Sequence, residues 1–538
     1  MRFNSMKIFW KKMSADQKLS AINSSEETIA QGSEDDERLW KPTKRQWFAI
    51  LVPSFAVFAV SLDSTILTVA LPTIAESLSA KTFQSFWIVE AYLLASAVVQ
   101  SSVASIAEFA GPRVTFITAM ILFMVGSIIC CTASNISHMI VGRTIQGLGG
   151  GGILSVNLII LTDIVPLRQR PRYLGLIQLI NSVAINLGPI IGGFLVKISW
   201  RWIFYINFPF CGLGLITVPF ALRSFAPRTE IFRNLKKVDW IGSLVFAAGT
   251  ATLLVGISWG GVEYKWDSMA TLLCLCVGTA AIFMSALYER YSTSIPFLRF
   301  SLFRNGAAIA AYLCTLLQSL TLFATSYFLI LYLLTVKLYT PLLSGVVFLA
   351  YGLAVVPVSA FTGHMITSIG SYRWAIIWGW VIHSAGVGGL MTLTASTYVP
   401  GMLFLLVIAG TGQGLLFISH QAACQALCLP CDSAYASSMF SFVRSLGFCF
   451  GITIGGTAFQ NFLSQALQNV GVSSNSGKAF ETFYLALHAM PEGLKKEQLI
   501  IIFTTAFRHL WAVVCATSCV GLVLGLFLIS DDGLRSKR

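Results

Sequence analysis

Charge is scarce in this chain of 538 residues, because Asp, Glu, Lys and Arg together make up only 11% of it. Ordinary soluble domains carry about 25% charged residues. Hydrophobic residues reach 56%, and the mean hydropathy is +0.75. These values exclude a soluble globular fold and indicate a polytopic integral membrane protein that is embedded in the lipid bilayer.

Acidic residues are the scarcer of the two charged classes, since 23 Asp and Glu stand against 36 Lys and Arg, a formal net charge of +13. In a soluble protein this excess would favour nucleic-acid binding. Here the basic residues cluster in short connections between apolar runs, where they set the orientation of a membrane protein. We therefore expect no nucleic-acid partner.

The chain also lacks the patterns of an enzyme or of an ATP-driven pump. The glycine run 149–152 lies in an apolar helix with no following lysine, so it is not a phosphate-binding loop. The segment Gly256–Gly260 matches the nucleophile-elbow pattern but ends an apolar helix rather than a strand. Twelve cysteines lie in or beside apolar runs, and no other ligands accompany Cys428–Cys431. We expect no catalysis, no metal and no bound cofactor.

Apolar runs of about 20 residues, enough to cross ~30 Å of hydrocarbon, occur fourteen times. The first eight lie near residues 47–71, 84–106, 114–134, 139–164, 173–197, 201–222, 239–258 and 269–288. The last six lie near residues 306–334, 342–366, 374–394, 400–424, 434–463 and 506–529. This pattern predicts an all-α polytopic fold with 14 transmembrane helices.

The runs divide the chain into five parts. These are a disordered tail (1–45), a six-helix bundle (46–222), a basic linker with a two-helix insertion (223–304), a second six-helix bundle with a long outer loop at 464–505 (305–530), and a short tail (531–538). An even number of spans puts both termini on one side, and the loops on that side hold more Lys and Arg, which predicts cytosolic termini. On the outer side, Asn135 begins a glycosylation sequon that lies too near the membrane for us to expect its use.

The two bundles contain an internal repeat. Matching positions are Ala104, Gly111 and Arg113 with Gly363, Gly370 and Arg373; Gln146-Gly147 with Gln413-Gly414; and Gly192-Gly193 with Gly455-Gly456. Many secondary transporters are built from such repeated halves, with the substrate site at the midplane between them.

Three motifs in chain order resemble those of the major facilitator superfamily. They are Leu62-Asp63-Ser64-Thr65 continuing to Pro72, which resembles the first-helix signature of the fourteen-helix drug:proton antiporter branch; Arg143 with Gln146-Gly147; and the antiporter motif Gly175, Ala184, Gly188-Pro189 and Gly192-Gly193, in which Ala184 replaces a usual glycine. The resemblance implies two six-helix bundles plus two extra helices, in a fungal-type multidrug or toxin efflux transporter.

Coupling to a proton gradient requires a titratable group that each side of the membrane reaches in turn. Asp63, Glu90 and Arg143 are the intramembrane charges of the first bundle, and a carboxylate near a cation can change protonation as a cavity opens and closes. The resemblance supports Asp63 and Arg143, whereas Glu90 rests on its position alone. A structural hydrogen-bonding role for Asp63, a fixed ion pair for Arg143 and a solvated rim position for Glu90 remain alternatives.

The resemblance also implies a cytosolic gate formed by Glu108, Gly111, Arg113 and Asp163, which would latch the outward-facing state through charge pairs. Glu108 stands where the family usually has Asp, and Pro112 stands where a basic residue is common. Ordinary positive-inside charge is the alternative interpretation of these residues. The antiporter-motif glycines imply tight packing of the fifth helix, which in this family is thought to favour export.

Neutral polar residues are the candidates for the substrate cavity: Gln146, Asn181, Gln413 and His420. Arg444 is expected to anchor a helix end or a helix contact. A largely neutral pocket suits drugs, toxins or secondary metabolites, so we expect a monomeric, proton-coupled exporter of small amphipathic compounds in the plasma membrane, with the vacuolar membrane as alternative. Transport of iron siderophores or of vacuolar amino acids by the same fold, and a non-transporting sensor, are the alternative functions.

Overall fold

The computed structural model describes residues 42–78, 82–166, 169–222, 240–291, 299–429, 432–469, 487, 490–491 and 493–529. Within these residues the chain forms long helices joined by short connections, and it forms no β-strand. Most of the predicted tail 1–45, the first part of the basic linker (223–239) and the tail 531–538 lie outside the described residues.

Fourteen long helices follow one another in the described part of the chain. The first bundle contains α1 (Lys44–Ser77), α2 (Thr82–Ala110), α3 (Pro112–Cys131), α4 (Ile136–Ile164), α5 (Arg170–Leu195) and α6 (Asn207–Ala221, after the turn Trp202–Tyr205). The insertion contains α7 (Trp240–Trp259) and α8 (Met269–Tyr291). The second bundle contains α9 (Gly306–Thr335), α10 (Pro341–Ile369), α11 (Arg373–Leu390), α12 (Val399–Ala426), α13 (Ser433–Asn469) and α14 (Leu494–Leu528). Twelve helical segments among the described residues are long and apolar enough to cross a membrane, and the set is compatible with the fourteen predicted spans.

Several helices begin or end at capping residues or glycines of the kind that favour a helix end. Thr43 caps α1 by accepting a hydrogen bond from the backbone N–H of Gln46, whose side chain accepts from the N–H of Thr43 in return. Asn135 caps α4 in the same manner, with its Oδ1 2.8 Å from the backbone N of His138. Gly111 and Gly370 turn the chain with φ of 83° and 73°, a conformation that glycine adopts without strain.

The helices are arranged as two bundles that meet along two seams. In the first seam α5 packs on α10, and in the second α2 packs on α13. The inserted pair lies outside both bundles, because α7 packs on α2 and α13 while α8 packs on α7. This arrangement leaves a central space between α1, α4 and α5 of one bundle and α9, α10 and α13 of the other.

The predicted outer loop at 464–505 is shorter than the sequence indicated. α13 continues to Asn469 and α14 begins at Leu494, so helical structure extends into both ends of the predicted loop. Hydropathy marks where a chain enters hydrocarbon, whereas helical hydrogen bonding continues into the polar region beyond it. The polar turn Lys495–Glu497 therefore belongs to the start of α14.

The repeat between the bundles is confirmed by packing at α4 and α12, but in a different register. A β-carbon on Gly147 would lie 3.0 Å from that of Ala95 and against the carbonyl oxygen of Tyr92. A β-carbon on Gly410 would lie 3.1 Å from that of Ala354 and against the carbonyl oxygen of Tyr351. Gly147 therefore corresponds to Gly410, and the pairing with Gly414 that the letters indicated is wrong by four residues, about one helical turn.

Glycines on both faces of α5 bring three helices into close contact. A β-carbon on Gly192 would lie 2.7 Å from the carbonyl oxygen of Ile66 in α1. On the other face, a β-carbon on Gly193 would lie 2.8 Å from the backbone nitrogen of Leu342 in α10. Both distances are shorter than van der Waals contact, so only glycine permits these backbones to approach.

We expect Gly193→Ala to destabilise the purified protein by about 1–3 kcal/mol, because the new methyl group must push α5 away from backbone atoms of α10. Gly175→Ala is the matched control on the same helix and facing the same neighbour, since its β-carbon would lie 3.8 Å from the Cα of Ala360. Thermal unfolding in detergent measures both. Equal melting temperatures for the two variants would show that the α5–α10 contact is not tight.

Candidate functional site

A buried ion pair between α1 and α4 is the most polar feature of the first bundle. Arg143 Nη1 donates to Asp63 Oδ2 at 2.6 Å and to Gln146 Oε1 at 2.7 Å, and its Nε donates to the carbonyl oxygen of Ile88 at 3.1 Å. The guanidinium group also lies 4.2 Å from the ring centroid of Tyr92. Both charged side chains are fully buried, so the pair is held without direct access to solvent.

The second oxygen of Asp63 is also engaged. Gln146 Nε2 donates to Asp63 Oδ1 at 2.9 Å, and Asn207 Nδ2 of α6 donates to it at 2.8 Å. Gln146 Nε2 lies 2.9 Å from Ser127 Oγ of α3 as well. The network therefore joins α1, α3, α4 and α6, and a proton on Asp63 would have to displace one of its donors. This geometry favours a fixed ion pair over a group that changes protonation in each cycle.

Glu90 lies at the seam between the bundles instead of at a solvated rim, since only 1% of its surface is exposed. Its Oε1 is 2.6 Å from Thr453 Oγ1 of α13, and no described residue forms a hydrogen bond with its Oε2. No salt bridge reaches Glu90 in the described part of the chain, because Arg143, the buried cation of the same bundle, is bound to Asp63.

The contact between Thr453 and Glu90 is compatible with a protonated acid. Thr453 Oγ1 is 2.6 Å from the Glu90 carboxyl and 2.9 Å from the carbonyl oxygen of Cys449, but it has one proton to donate. A neutral Glu90 satisfies both contacts, because its own O–H donates to Thr453 while Thr453 donates to Cys449. An ionised Glu90 can also accept the Thr453 proton, because the Cys449 carbonyl keeps the helical N–H of Thr453 as its donor. The closed seam suits the protonated acid because the carboxyl group is buried and no salt bridge reaches it in the described part of the chain.

Two of the cavities in the described part of the chain lie between the bundles. The first extends toward α9 and α10 and has a mostly apolar, aromatic wall; its aromatic residues are Phe323, Tyr327, Phe348, Tyr351, Phe417 and Phe448. The second extends toward α2 and α4 and has more polar groups; these include Ser61, Ser96, Gln100, Asn157, Asn181 and Ser441. Ser64, Ile185, Arg444 and Phe448 line both cavities. An apolar wall with a few neutral polar groups suits an amphipathic small molecule.

Comparison with known proteins establishes the family. A model of the Major Facilitator Superfamily matches residues 54–455. The chain belongs to the major facilitator superfamily. It is thus an integral membrane transporter for small molecules and not an enzyme, as the sequence predicted.

Curated fungal relatives of this major facilitator cover most of its length. "MFS transporter L2" from Phoma sp. is 35% identical over 498 residues, which is 92% of this chain and 83% of that protein. "MFS efflux transporter aclA" from Aspergillus oryzae is 33% identical over 490 residues, covering 89% and 88%. A bacterial homologue of the human lysosomal transporter Spinster, in an inward-facing and unoccupied crystal structure, has the same fold with a TM-score of 0.58 at 15% identity, covering 93% of this chain and 99% of that one.

The antiporter motif of this major facilitator joins α5 to α1 through a hydrogen bond as well as through packing. Pro189 has no N–H, so the carbonyl of Ile185 one turn earlier lacks its helical donor. Thr65 Oγ1 of α1 donates to that carbonyl at 2.9 Å. Gly188 leaves the room for this hydroxyl, because a β-carbon there would overlap with Thr65 Oγ1. Ala184 is fully buried in the same helix.

We expect Thr65→Val to reduce stability by about 1–3 kcal/mol, because it leaves the Ile185 carbonyl buried without a donor. Thr65→Ser keeps the hydroxyl and should cost less. In a Pro189→Ala background the helix supplies its own N–H to Ile185, so Thr65→Val should then have a smaller effect. Thermal unfolding of the four combinations gives this double-mutant cycle. A cost that is the same in both backgrounds would contradict the assigned hydrogen bond.

The predicted gate residues lie at the ends of α2, α3 and α4. The side chain of Glu108 is outside the described set, and Gly111 forms the turn into α3. Among the described contacts no ion pair joins Arg113 to Asp163. Asp163 interacts electrostatically with Arg170 instead. Arg170 donates hydrogen bonds to the carbonyl oxygens of Thr162 at 2.7 Å and Val165 at 3.1 Å, and so caps the end of α4.

Of the four residues predicted for the substrate cavity, Asn181 lines the second cavity, where it is hydrogen-bonded to Ser61. Gln146 belongs to the ion-pair network described above. Gln413 lies inside the second bundle, where its side chain is 2.7 Å from Gln318 Nε2 and 3.0 Å from His383 Nε2. His420 is fully buried beside Trp380, at 5.9 Å between ring centroids. The last three therefore line neither cavity.

Sequence reasoning did not select several residues that complete the site. Asn207 and Ser127 satisfy Asp63 and Gln146, and Thr453 binds Glu90. Each is a polar residue within an apolar run, which is the one signal that would have selected them, but many other serines and threonines share it. Arg299 and Asp432, paired at 3.0 Å, were missed because they lie in different connections far apart in the chain.

Proposed function

We propose that this major facilitator is a proton-coupled exporter of small amphipathic compounds that works by alternating access. Several of its curated relatives are named as efflux proteins, including the "MFS efflux transporter aclA" and an "MFS-type efflux pump LUC4" from Fusarium sp., the latter 31% identical over 510 residues. The observation that carries the proposal is the position of Glu90, a buried carboxyl group on the α2–α13 seam two residues before Tyr92, which lines the second cavity.

Glu90 is the group to which we assign the proton. While it is neutral, its hydrogen bond to Thr453 holds α2 against α13. Loss of the proton leaves a buried carboxylate that forms no salt bridge with the described residues, which is costly until water reaches it. Opening of the seam supplies that water, so the two protonation states favour different conformations. The Asp63–Arg143 pair keeps the first bundle rigid while it moves.

The gradient provides enough energy for this cycle. A proton gains about 2.3 kcal/mol in 100 mV and about 1.4 kcal/mol per pH unit. Their sum supports a gradient of roughly a few hundred-fold of a neutral solute per proton.

We also propose an orientation in the membrane, a cellular location and an oligomeric state. Basic residues lie in the connections α2–α3, α4–α5, α8–α9 and α10–α11 or at the helix ends beside them, which supports cytosolic termini by the positive-inside rule. They are Arg113, Arg170, Arg290, Arg304 and Arg373. The plasma membrane is the proposed location. A monomer is the proposed state, because both bundles and the cavities between them are provided by one chain.

Purified protein in sealed liposomes tests the proposal. A pH jump that makes the outside acidic should drive labelled lipophilic compounds against their concentration gradient, and a protonophore should abolish that movement. Protein-free liposomes are the control. Flux that does not depend on the pH gradient would contradict proton coupling, and binding without any flux would support the sensor alternative.

A further inference from the structure

Arg444 is a half-buried cation between the two bundles, and the described contacts give it no acidic partner of the kind that the fully buried Arg143 has. It belongs to α13 and lines both cavities. Its Nε is buried and has no hydrogen-bond partner among the residues that the structure describes. Arg143, in contrast, has an acidic partner, an amide partner and a backbone carbonyl.

The contacts of Arg444 are aromatic. Its guanidinium carbon lies 4.1 Å from the ring centroid of Phe417 on α12 and 5.3 Å from that of Phe448 on α13. Such stacking orients the planar group and leaves its N–H edge available, because the rings contact its face. The contact with Phe417 agrees with the predicted inter-helix anchor, but it does not satisfy the N–H donors.

No acidic side chain lines either cavity in the described part of the chain, and Arg444 is the one charged residue among their lining residues. Asp63 is bound to Arg143, and Glu90 is bound to Thr453. The uncharged hydroxyl and amide groups of Ser64, Asn181, Ser441 and Ser445 lie along the same wall. A desolvated cation costs free energy unless an anion joins it, so this cavity is complementary to a negatively charged guest.

We propose that Arg444 binds a carboxylate of the transported compound, and that the substrates are amphipathic organic acids with one negative charge at the binding site. The inference rests on the proposed export function and specifies its substrate class. A guanidinium edge matches a carboxylate with two parallel N–H···O bonds. One cation favours a monoanion over a phosphate dianion, and the apolar body of the acid would occupy the aromatic first cavity.

A matched pair of fluorescent probes tests this inference on the purified full-length protein. We expect 1-pyrenebutyrate, an acid, to bind at neutral pH at least about tenfold more tightly than its methyl ester. Arg444→Gln should weaken binding of the acid by about 10- to 100-fold and leave the ester unchanged. Arg444→Lys keeps the positive charge but lacks the paired N–H donors of a guanidinium group, so the loss of affinity for the acid should be smaller than in Arg444→Gln. Arg508→Gln, on an exposed position of α14, is the control for loss of one positive charge.

Equal affinity of the wild-type protein for acid and ester would overturn the inference, even if Arg444→Gln did not fold. So would an Arg444→Gln variant that elutes as a single species and still prefers the acid. Pyrene monophosphate that binds more tightly than the carboxylate would also contradict the assignment. Flux experiments separate the two proposals. If a pH gradient drives flux of the ester and the protein does not prefer the acid, proton-coupled export is supported and the Arg444 site is contradicted. If the protein prefers the acid but a pH gradient drives no flux, the Arg444 site is supported and proton-coupled export is contradicted.

Discussion

Replacement of Arg143 by leucine should destabilise the protein by about 3–5 kcal/mol, the cost of leaving the partner of a buried ion pair without its counter-charge. Asp63 would retain Gln146 and Asn207 as donors but no cation, in a site with no exposed surface. The loss should appear as a lower melting temperature of the purified protein. Transport activity should fall with it, because α1, α3, α4 and α6 are all joined through this network.

The double variant Asp63→Asn/Arg143→Leu separates a structural role from proton coupling. It removes both charges and keeps an amide in place of the carboxylate, so it should recover much of the lost stability. If the pair is structural, transport by the refolded variant should still depend on the pH gradient. Stable double-variant protein whose transport no longer responds to pH would instead assign the proton to Asp63. Arg508→Leu controls for the loss of an exposed arginine.

The fold could be predicted from the sequence because each membrane-spanning helix is marked by its own local run of apolar residues. Each span needs about 20 apolar residues, and each such run is visible by itself. The seams between helices could not be read in that way. That α5 meets α10 and α2 meets α13 depends on pairs of faces that are distant in the chain, although the small residues Gly192 and Gly193 indicated close packing on α5.

The partners of the buried polar side chains could not be predicted from the sequence either. Asp63, Glu90 and Arg143 were found because a charge within an apolar run needs a reason. The sequence did not show that Asp63 and Arg143 neutralise each other while Glu90 faces the opposite bundle through Thr453. Gln146 and Gln413 were assigned to the cavity as polar residues on cavity-forming helices, but each turns into its own bundle, where other polar groups satisfy it.

The predicted register of the repeat, which paired Gly147 with Gly414, was wrong because it compared residue types and not backbone contacts. Gly147 and Gly410 occupy equivalent positions because each admits the carbonyl of a tyrosine, Tyr92 or Tyr351, on the neighbouring helix. The glutamines satisfy different partners in the two bundles, so they are not constrained to the same position. Backbone contact is therefore a better guide to the repeat than similarity of polar side chains.

Glu90→Gln should abolish accumulation driven by the pH gradient while the protein remains folded and able to bind its substrate. The amide is close in size to the protonated acid, and its N–H₂ group donates to Thr453 as the carboxyl O–H does, so the α2–α13 seam keeps its contact. The amide does not release a proton near neutral pH. With one pH unit imposed and no membrane potential, a neutral-substrate gradient of about tenfold per proton should therefore collapse to about onefold, whereas exchange of labelled for unlabelled substrate continues if the seam still opens.

Sealed liposomes with an imposed pH difference measure both quantities in the same preparation. Glu76→Gln is the matched control, because Glu76 is an exposed carboxylate at the end of α1 and its loss should leave driven accumulation unchanged. Thr453→Val tests the contact from the other side: it removes the hydroxyl that joins the seam and should shift the pH dependence of transport without abolishing it. A Glu90→Gln protein that still accumulates substrate when the lumen is acidified would show that another group carries the proton, and the buried position of Glu90 would then be explained by its contact with α13 alone.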